Sequence, residues 1–453
     1  MSLHTVILAA GQGTRMRSVY PKVLHALAGR PMLAHVIDTA EALHSDALHV
    51  VVGHGADLVR EAFAQRRVHW VRQDRRLGTG HAVLQAMPDI PDAATVLVLY
   101  GDVPLVRPET LQPLVTAAGD GPALLTVELD DPAGYGRIIR DEAGRVVRIV
   151  EEKDATAEDQ AVREVNTGLM AVGAGYLRRW LQACGNDNAQ REYYLTDVVA
   201  LARDEGRPIS AIVAADSVEV TGINDRAQLA RLERHYQAGI AEELMLEGTT
   251  LLDPARLDVR GNLQCGRDVR IDVNCIFEGE VVLEDGVSIG ANCIIRDSRI
   301  GAGAVIESHS VLEDARIGAS ARVGPFARLR PGVILARGAR LGNFVEAKKS
   351  RIGENSKINH LSYIGDTTVG RDVNVGAGTI TCNYDGEHKH ETVIGDGAFI
   401  GSDTQLVAPV SVGARALVGA GTTVTRDVDP DSLALSRTEQ TVVPEWRKRR
   451  RPG

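Results

Sequence analysis

The sequence predicts two joined architectures, an α/β domain built on a parallel sheet and a parallel β-helix of hexapeptide repeats. Two observations carry this. Short apolar runs alternate with helix-like stretches up to about residue 225, and aliphatic residues then recur every six positions between Ile300 and Val424. A third observation, the stripe Leu229, Leu232, Tyr236, Ile240 and Leu244 bounded by Gly248, predicts a connecting helix. The expected organisation is an α/β domain at 1–225, the helix at 226–248, the β-helix at 249–426 and a C-terminal tail at 427–453.

In the first region TVILAAG, LHVVVGHG, ATVLVLYGD and GPALLTVEL read as strands, with helix-like segments between the first three. Parallel sheets bind ligands beyond the carboxyl ends of their strands, where Gly11, Gly13 and Asp102 fall. A glycine turn leading into a helix presents bare N–H groups to phosphate, and Arg15 and Lys22 would add positive charge. Met16 stands where a dinucleotide fingerprint needs its third glycine, and the Lys-Ser/Thr pair of a Walker loop is missing, so neither motif applies. A tight strand-to-helix turn flanked by surface cations would explain the same residues without a ligand.

Asp102 directly follows an apolar strand, and Asn224 ends the α/β region. One carboxylate and one amide oxygen would serve Mg²⁺, which takes its remaining ligands from phosphate and water. Turn capping before Pro104 and Arg226 is the plainer reading of these two residues. Gln73 both donates and accepts, as uracil requires, and Gly78-Thr79-Gly80 offers open backbone, although a turn capping the next helix accounts equally well for that stretch.

The six-residue period runs through Ile300, Ile306 and Leu312, then Ile317, Val323, Leu329, Leu335 and Leu341, and later Ile394, Ile400, Leu406, Val412, Val418 and Val424. In a β-helix each short strand buries one such residue inside the coil. The period breaks between Val375 and Ile394, where TITCNYDGEHKHET inserts residues that belong in a loop on one face. Polar residues gather in GPFARLRPG, NFVEAKKS, KINHLSYIGD and TCNYDG. There Arg330 and Lys348 add positive charge. His360 is a natural base, because histidine titrates near neutrality, although a lone histidine is more often structural.

Composition bounds the partners. A net charge of −9 lacks the broad basic field of a nucleic-acid binder, and the run Arg447–Arg451 reads as a solvated tail. Five scattered cysteines without C-x-x-C spacing indicate neither a disulfide framework nor a zinc knuckle and fit a reducing cytoplasm. No run approaches the ~18 apolar residues of a membrane span.

The pattern L-A-A-G-x-G-T-R-M, then P-K, L-G-T-G-H-A and Y-G-D-x-P, resembles nucleotidyltransferases that join a sugar 1-phosphate to a nucleoside triphosphate. With the hexapeptide repeat behind it, the chain from about residue 4 to 446 resembles the family of bifunctional N-acetylglucosamine-1-phosphate uridyltransferase/glucosamine-1-phosphate N-acetyltransferases. The resemblance implies a Rossmann-like nucleotidyltransferase domain and a left-handed β-helix. It implies nucleotide contacts by Leu8, Ala9, Ala10, Gly11, Lys22, Gln73, Gly78, Thr79 and Asp102, and sugar contacts by Tyr100, Gly101, Gly136, Glu151 and Asn166. Mg²⁺ would lie on Asp102 and Asn224, with Arg15 and Lys22 stabilising charge on the phosphates. His360 would be the acetyl-transfer base, with Arg330, Lys348, Tyr363 and Asn374 on the amino-sugar phosphate. Ala377, Ser402, Ala420 and Arg437 would serve acetyl-CoA, with Asn383 and Tyr384 flanking the reacting centre. A homotrimer is implied as well. A single-activity nucleotidyltransferase with a structural β-helix is the rival reading, and the cluster of His360, Asn383, Tyr384 and Arg437 argues against it.

Overall fold

The structure, a computed structural model, describes residues 2–449, so Arg450 and Arg451 of the basic run lie outside the described residues. The chain divides into two compact units, one ending at Tyr236 and the other beginning at Gln237.

The first unit is built around β1 (Leu3–Ala9), whose Val6 and Ile7 are wholly buried. Strands β2 (Ala47–Val52), β3 (His69–Arg72), β4 (Thr95–Tyr100) and β5 (Ala123–Glu128) follow. A hairpin of β6 (Arg137–Arg140) and β7 (Val146–Val150) leads to β8 (Glu164–Gly173) and β9 (Ser210–Val213). Their order is β9-β5-β8-β4-β1-β2-β3, with β6 attached to β8 and β7 to β6. β1 pairs in parallel with β2 and β4, which is why all three are near-continuous aliphatic runs covered on both faces.

Two expectations need correction. The sheet is mixed, because β8 enters antiparallel between β4 and β5. Its register slips between Asn166 and Met170, where Gly168 takes a left-handed φ of 85°, and that irregularity breaks up the strand pattern of the segment. Nor does a helix start after the glycine turn. Only a 3₁₀ turn, Thr14–Met16, follows; left-handed Arg17 ends it, a second 3₁₀ turn, Lys22–Leu24, starts after Pro21, and α1 begins later (Met32–Ala42).

In the second unit short strands stack coil upon coil in parallel. Ile289, Ile306, Val323, Leu341, Ile358 and Val375 pair successively, each 17 or 18 residues after the last, which is three hexapeptides per coil. Every aliphatic position named in the repeat is at most 4% exposed. The next step, Val375 to Ile400, is longer, and the surplus forms a loop closed by a bridge between Tyr384 and Lys389.

Helix α3 (Arg226–Leu246; α2 is Thr79–Ala86) is shared out between the units. Its Leu232 packs with Leu27, Met32 and Ile223, and Glu233 accepts a hydrogen bond from the Ala28 amide at 2.7 Å. Further along, Ala241 and Leu244 belong to the β-helix core, and the Gln237 amide bonds both the N–H and C=O of Val259 at 2.8 Å. No helix among the described residues is long and apolar enough to cross a membrane.

His4, His49 and His69 stack across the edge of the first sheet, with ring centroids 5.4 and 5.2 Å apart. Burial, helped by its two histidine neighbours and opposed by Asp89, pushes His49 down to about 4. The unfolded chain takes up this proton near pH 6.5 and the folded chain only near 4. Stability of the first unit is therefore complete above pH 6.5 and falls as pH drops toward 4, by on the order of 3 kcal/mol from this group. Denaturant titrations of wild type and His49→Phe across pH 4–7 should show the wild-type slope flattened in the variant; equal slopes would exclude His49 as the source.

Candidate functional site

At the carboxyl edge of β1 and β4 a cleft of about 350 Å³ opens. Leu8, Ala9, Ala10, Gly11, Lys22, Gln73, Gly78, Thr79, Tyr100 and Asp102 line it, so parallel register brings together residues far apart in the chain. The amides of Gly11, Gln12 and Gly13 make no hydrogen bond among the described residues, leaving donors for an anion. Gly13 has φ 61°, and a Cβ there would stand 2.7 Å from Cβ of Lys22. Only glycine lets the loop fold down on the lysine.

Lys22 is the centre of the cleft's electrostatics. Its Nζ is paired with Asp102 and donates to Asn224 Oδ1 at 3.1 Å, with both partners of the ion pair mostly buried. Asn224 is oriented by its Nδ2 bond to Gly222 O at 3.4 Å and by its amide bond to Gln228 at 2.7 Å. Two oxygens thus converge on one cation, so the donor set fits a hard metal ion completed by ligand oxygens. Among the described residues no three His, Cys, Asp or Glu side chains form a metal cage, so the ligand would have to supply the rest. Arg15 stands exposed on the 3₁₀ turn and does not line the cleft.

Gln73 is oriented by its neighbours. Its Nε2 donates to Gly78 O at 3.1 Å and lies 3.1 Å from His81 Nδ1, so the side-chain oxygen is the group left for a ligand. The turn at Gly78 is pressed against Tyr193, whose carbonyl a Cβ would meet at 2.5 Å, and Thr79 accepts from the Leu195 amide at 3.1 Å. Gln12, Arg76 and Glu192 also line the cleft and were not foreseen. Arg76 lies within the same QDRRLGTG stretch and could have been read from that proximity, whereas Glu192 comes from a loop without periodic signal.

A second group adjoins Tyr100. The Asn166 amide donates to Gly136 O at 2.8 Å, and Asn166 Oδ1 accepts from the Gly168 amide at 3.1 Å. Burial pushes the Tyr100 phenol up, with Glu151 and Asp102 adding to the rise. Glu151 is itself raised by burial, against a 3.1 Å bond from Thr196, with Asp197 and Asp154 contributing. Gly101 lies under Val23 and Leu33 with its amide on Leu8 O, which fixes the turn carrying Asp102.

In the β-helix, Asn343, His360, Ala377, Ser402 and Ala420 form a column along one edge of the stack. Glycines Gly376 and Gly401 precede the small residues because a Cβ at either would lie 2.5 Å from the amide of Ser402 or Ala420 on the next coil. Arg437 Nη2 would lie 3.5 Å from a Cβ on Gly419, which extends the column into the tail. Nearby, Arg330 pairs with Glu346 at 3.1 Å, and Lys348 is pushed down by the adjoining Lys389, by desolvation and by Arg330, against Asp366. Lys389 comes from the inserted loop, whose departure from the repeat was its only signal. Tyr363 pairs in register with Glu346, and Asn374 with Lys357 one coil apart. Asn383 is buried and donates to Asp366 at 2.5 Å, while Tyr384 is exposed with its hydroxyl on Gly386 O.

A Cβ on Gly168 would fall 2.6 Å from the Tyr100 ring, in a left-handed backbone that costs an L-residue about 1–2 kcal/mol. Gly168→Ala should therefore lower the unfolding midpoint of the first unit and weaken ligand binding beside Tyr100. Unchanged thermal unfolding and unchanged binding by calorimetry would contradict that placement.

Residues 5–165 match the MobA-like NTP transferase domain, 259–341 the GMPPB C-terminal domain, and 391–426 the bacterial transferase hexapeptide (six repeats). The Bifunctional protein GlmU of Alkalilimnicola ehrlichii is 58% identical over 452 residues, covering 100% of this chain and 97% of that one. The protein of the same name from Marinobacter nauticus is 56% identical over 447 residues, 98% of both chains. That of Methylococcus capsulatus is 58% identical over 450 residues, 99% of this chain and 98% of its own.

Proposed function

Because the chain belongs to the family of bifunctional GlmU proteins, we propose that it makes UDP-N-acetylglucosamine in two steps. The β-helix unit acetylates glucosamine 1-phosphate from acetyl-CoA, and the first unit transfers UMP from UTP to the N-acetylglucosamine 1-phosphate formed, releasing pyrophosphate. The observation that carries this is the coexistence of two separate constellations, the Lys22–Asp102–Asn224 cleft and the His360 column.

In uridylyl transfer the open amides of Gly11–Gly13 hold the triphosphate, and the Gln73 side-chain oxygen accepts the uracil N–H. Lys22 moves its charge onto the α-phosphate as the sugar phosphate attacks in line and pyrophosphate departs. Asp102 and Asn224 would hold Mg²⁺, which supplies charge neutralisation on the phosphates. Arg15, exposed in this structure, acts on the leaving pyrophosphate only if the loop closes over it. Tyr100, Gly101, Gly136, Glu151 and Asn166 receive the sugar.

In acetyl transfer Arg330, Lys348 and Lys389 hold the phosphate, and Tyr363 and Asn374 the sugar. His360 takes a proton from the ammonium of the substrate; the amine attacks the thioester carbonyl, the C–S bond breaks, and CoA leaves as a thiol once protonated. The small residues Ala377, Ser402 and Ala420 leave room for the CoA arm, Arg437 meets its phosphates, and Asn383 and Tyr384 flank the reacting carbonyl. A homotrimer is supported by the apolar corner beside this column. Phe326 and Phe344 stack at 5.5 Å and are 48% and 56% exposed, and Leu361 is 62% exposed, a surface suited to a second copy.

Supplying acetyl-CoA, glucosamine 1-phosphate and UTP together, and following both products, tests the assignment. Asp102→Ala should abolish uridylyl transfer and spare acetylation; His360→Ala should lower acetylation by roughly 10²–10⁴-fold and spare uridylyl transfer. Loss of both activities in either folded variant, or retention of the targeted one, would contradict the two-site reading.

A further inference from the structure

We propose that Asn343 is a positioning residue for His360, one that fixes the imidazole tautomer needed for acetyl transfer; this rests on the reading of His360 as the base. His360 Nδ1 lies 2.9 Å from Asn343 Oδ1, on the preceding coil. It is the ring's only hydrogen bond among the described residues. An amide oxygen can only accept, so Nδ1 carries the proton and Nε2 keeps its lone pair for the substrate ammonium.

The backbone enforces this pairing. Asn343 and His360 are register partners, and the Leu361 amide donates to Asn343 O at 3.1 Å. Gly342 brings the coils close, since a Cβ there would stand 2.0 Å from Asn359 O. Ser362 Oγ donates to His360 O at 2.8 Å, holding the other side of the histidine's main chain. The ring is thus held by side chain and main chain alike.

The choice of an amide has a chemical consequence. A carboxylate at this position would favour the imidazolium, a form already carrying the proton that the base must accept. A neutral acceptor orients the ring without that penalty. It also leaves the column beyond His360 to the small residues Ala377, Ser402 and Ala420.

The test measures acetyl transfer in the full chain for Asn343→Ala, Asn343→Asp and His360→Ala, with thermal unfolding of each as the control for folding. Asn343→Ala is expected to lower kcat by roughly 10- to 100-fold, with KM for glucosamine 1-phosphate little changed. Asn343→Asp should recover much of that rate above neutral pH and move the acidic limb of the kcat profile to higher pH. An Asn343→Ala enzyme with wild-type kcat, or an Asn343→Asp enzyme whose acidic limb stays in place, would overturn the inference while His360→Ala still shows its large loss of acetyl transfer. Should His360→Ala keep full acetyl transfer, the underlying reading of the base fails instead. ¹⁵N spectra of the imidazole, protonated at Nδ1 in wild type, give an independent check; an Nε2-protonated ring would also overturn the proposal.

Discussion

Parallel backbone pairing is the constraint on which both halves depend. In the first unit it ends β1 and β4 at a common edge, so the Gly11 loop and the Tyr100–Asp102 turn face one cleft although about ninety residues separate them in sequence. In the second it sets residues 17 or 18 apart side by side, so a polar residue placed once per coil becomes a continuous column. Neither site needs a specialised scaffold element. Each is a place where saturated backbone hydrogen bonding leaves side chains and a few open amides free to meet a ligand.

Charge is distributed differently in the two places. Around Lys22 a single cation is held by Asp102 and Asn224 in a partly dry cleft, an arrangement that can exchange one cation for another when a polyphosphate arrives. Around Lys348 three cations face two carboxylates, Glu346 and Asp366, at the surface. Mutual repulsion there would lower the cost of admitting a dianionic phosphate, because the repelling charges would gain a partner.

Within 300–341 and 394–424 the β-helix core was legible residue by residue, because its positions repeat at a period that no helix or ordinary sheet shares. Gly13, Lys22 and Asp102 were legible for a related reason: a strand broken by glycine and followed by charge is a local pattern. What stayed hidden is non-local. The antiparallel entry of β8 follows a hairpin, and its register slip at left-handed Gly168 interrupts the alternation that would have marked the strand. Glu192, Lys389 and Asn343 reach their sites from loops or neighbouring coils, and their identity as Glu, Lys or Asn carries no positional signal. The helix at 226–246 was legible as a helix, but not its division between two cores, since its stripe simply continues from one to the other.

The central claim is that two self-contained sites share one chain. Its most direct test is to divide the protein between Tyr236 and Gln237, where the two units separate, and to assay both reactions on each piece. Residues 1–236 should carry uridylyl transfer alone, and residues 237–453 acetyl transfer alone, each near its rate in the intact protein. A folded first piece that needs the β-helix for uridylyl transfer, or a folded second piece that cannot acetylate, would contradict the account.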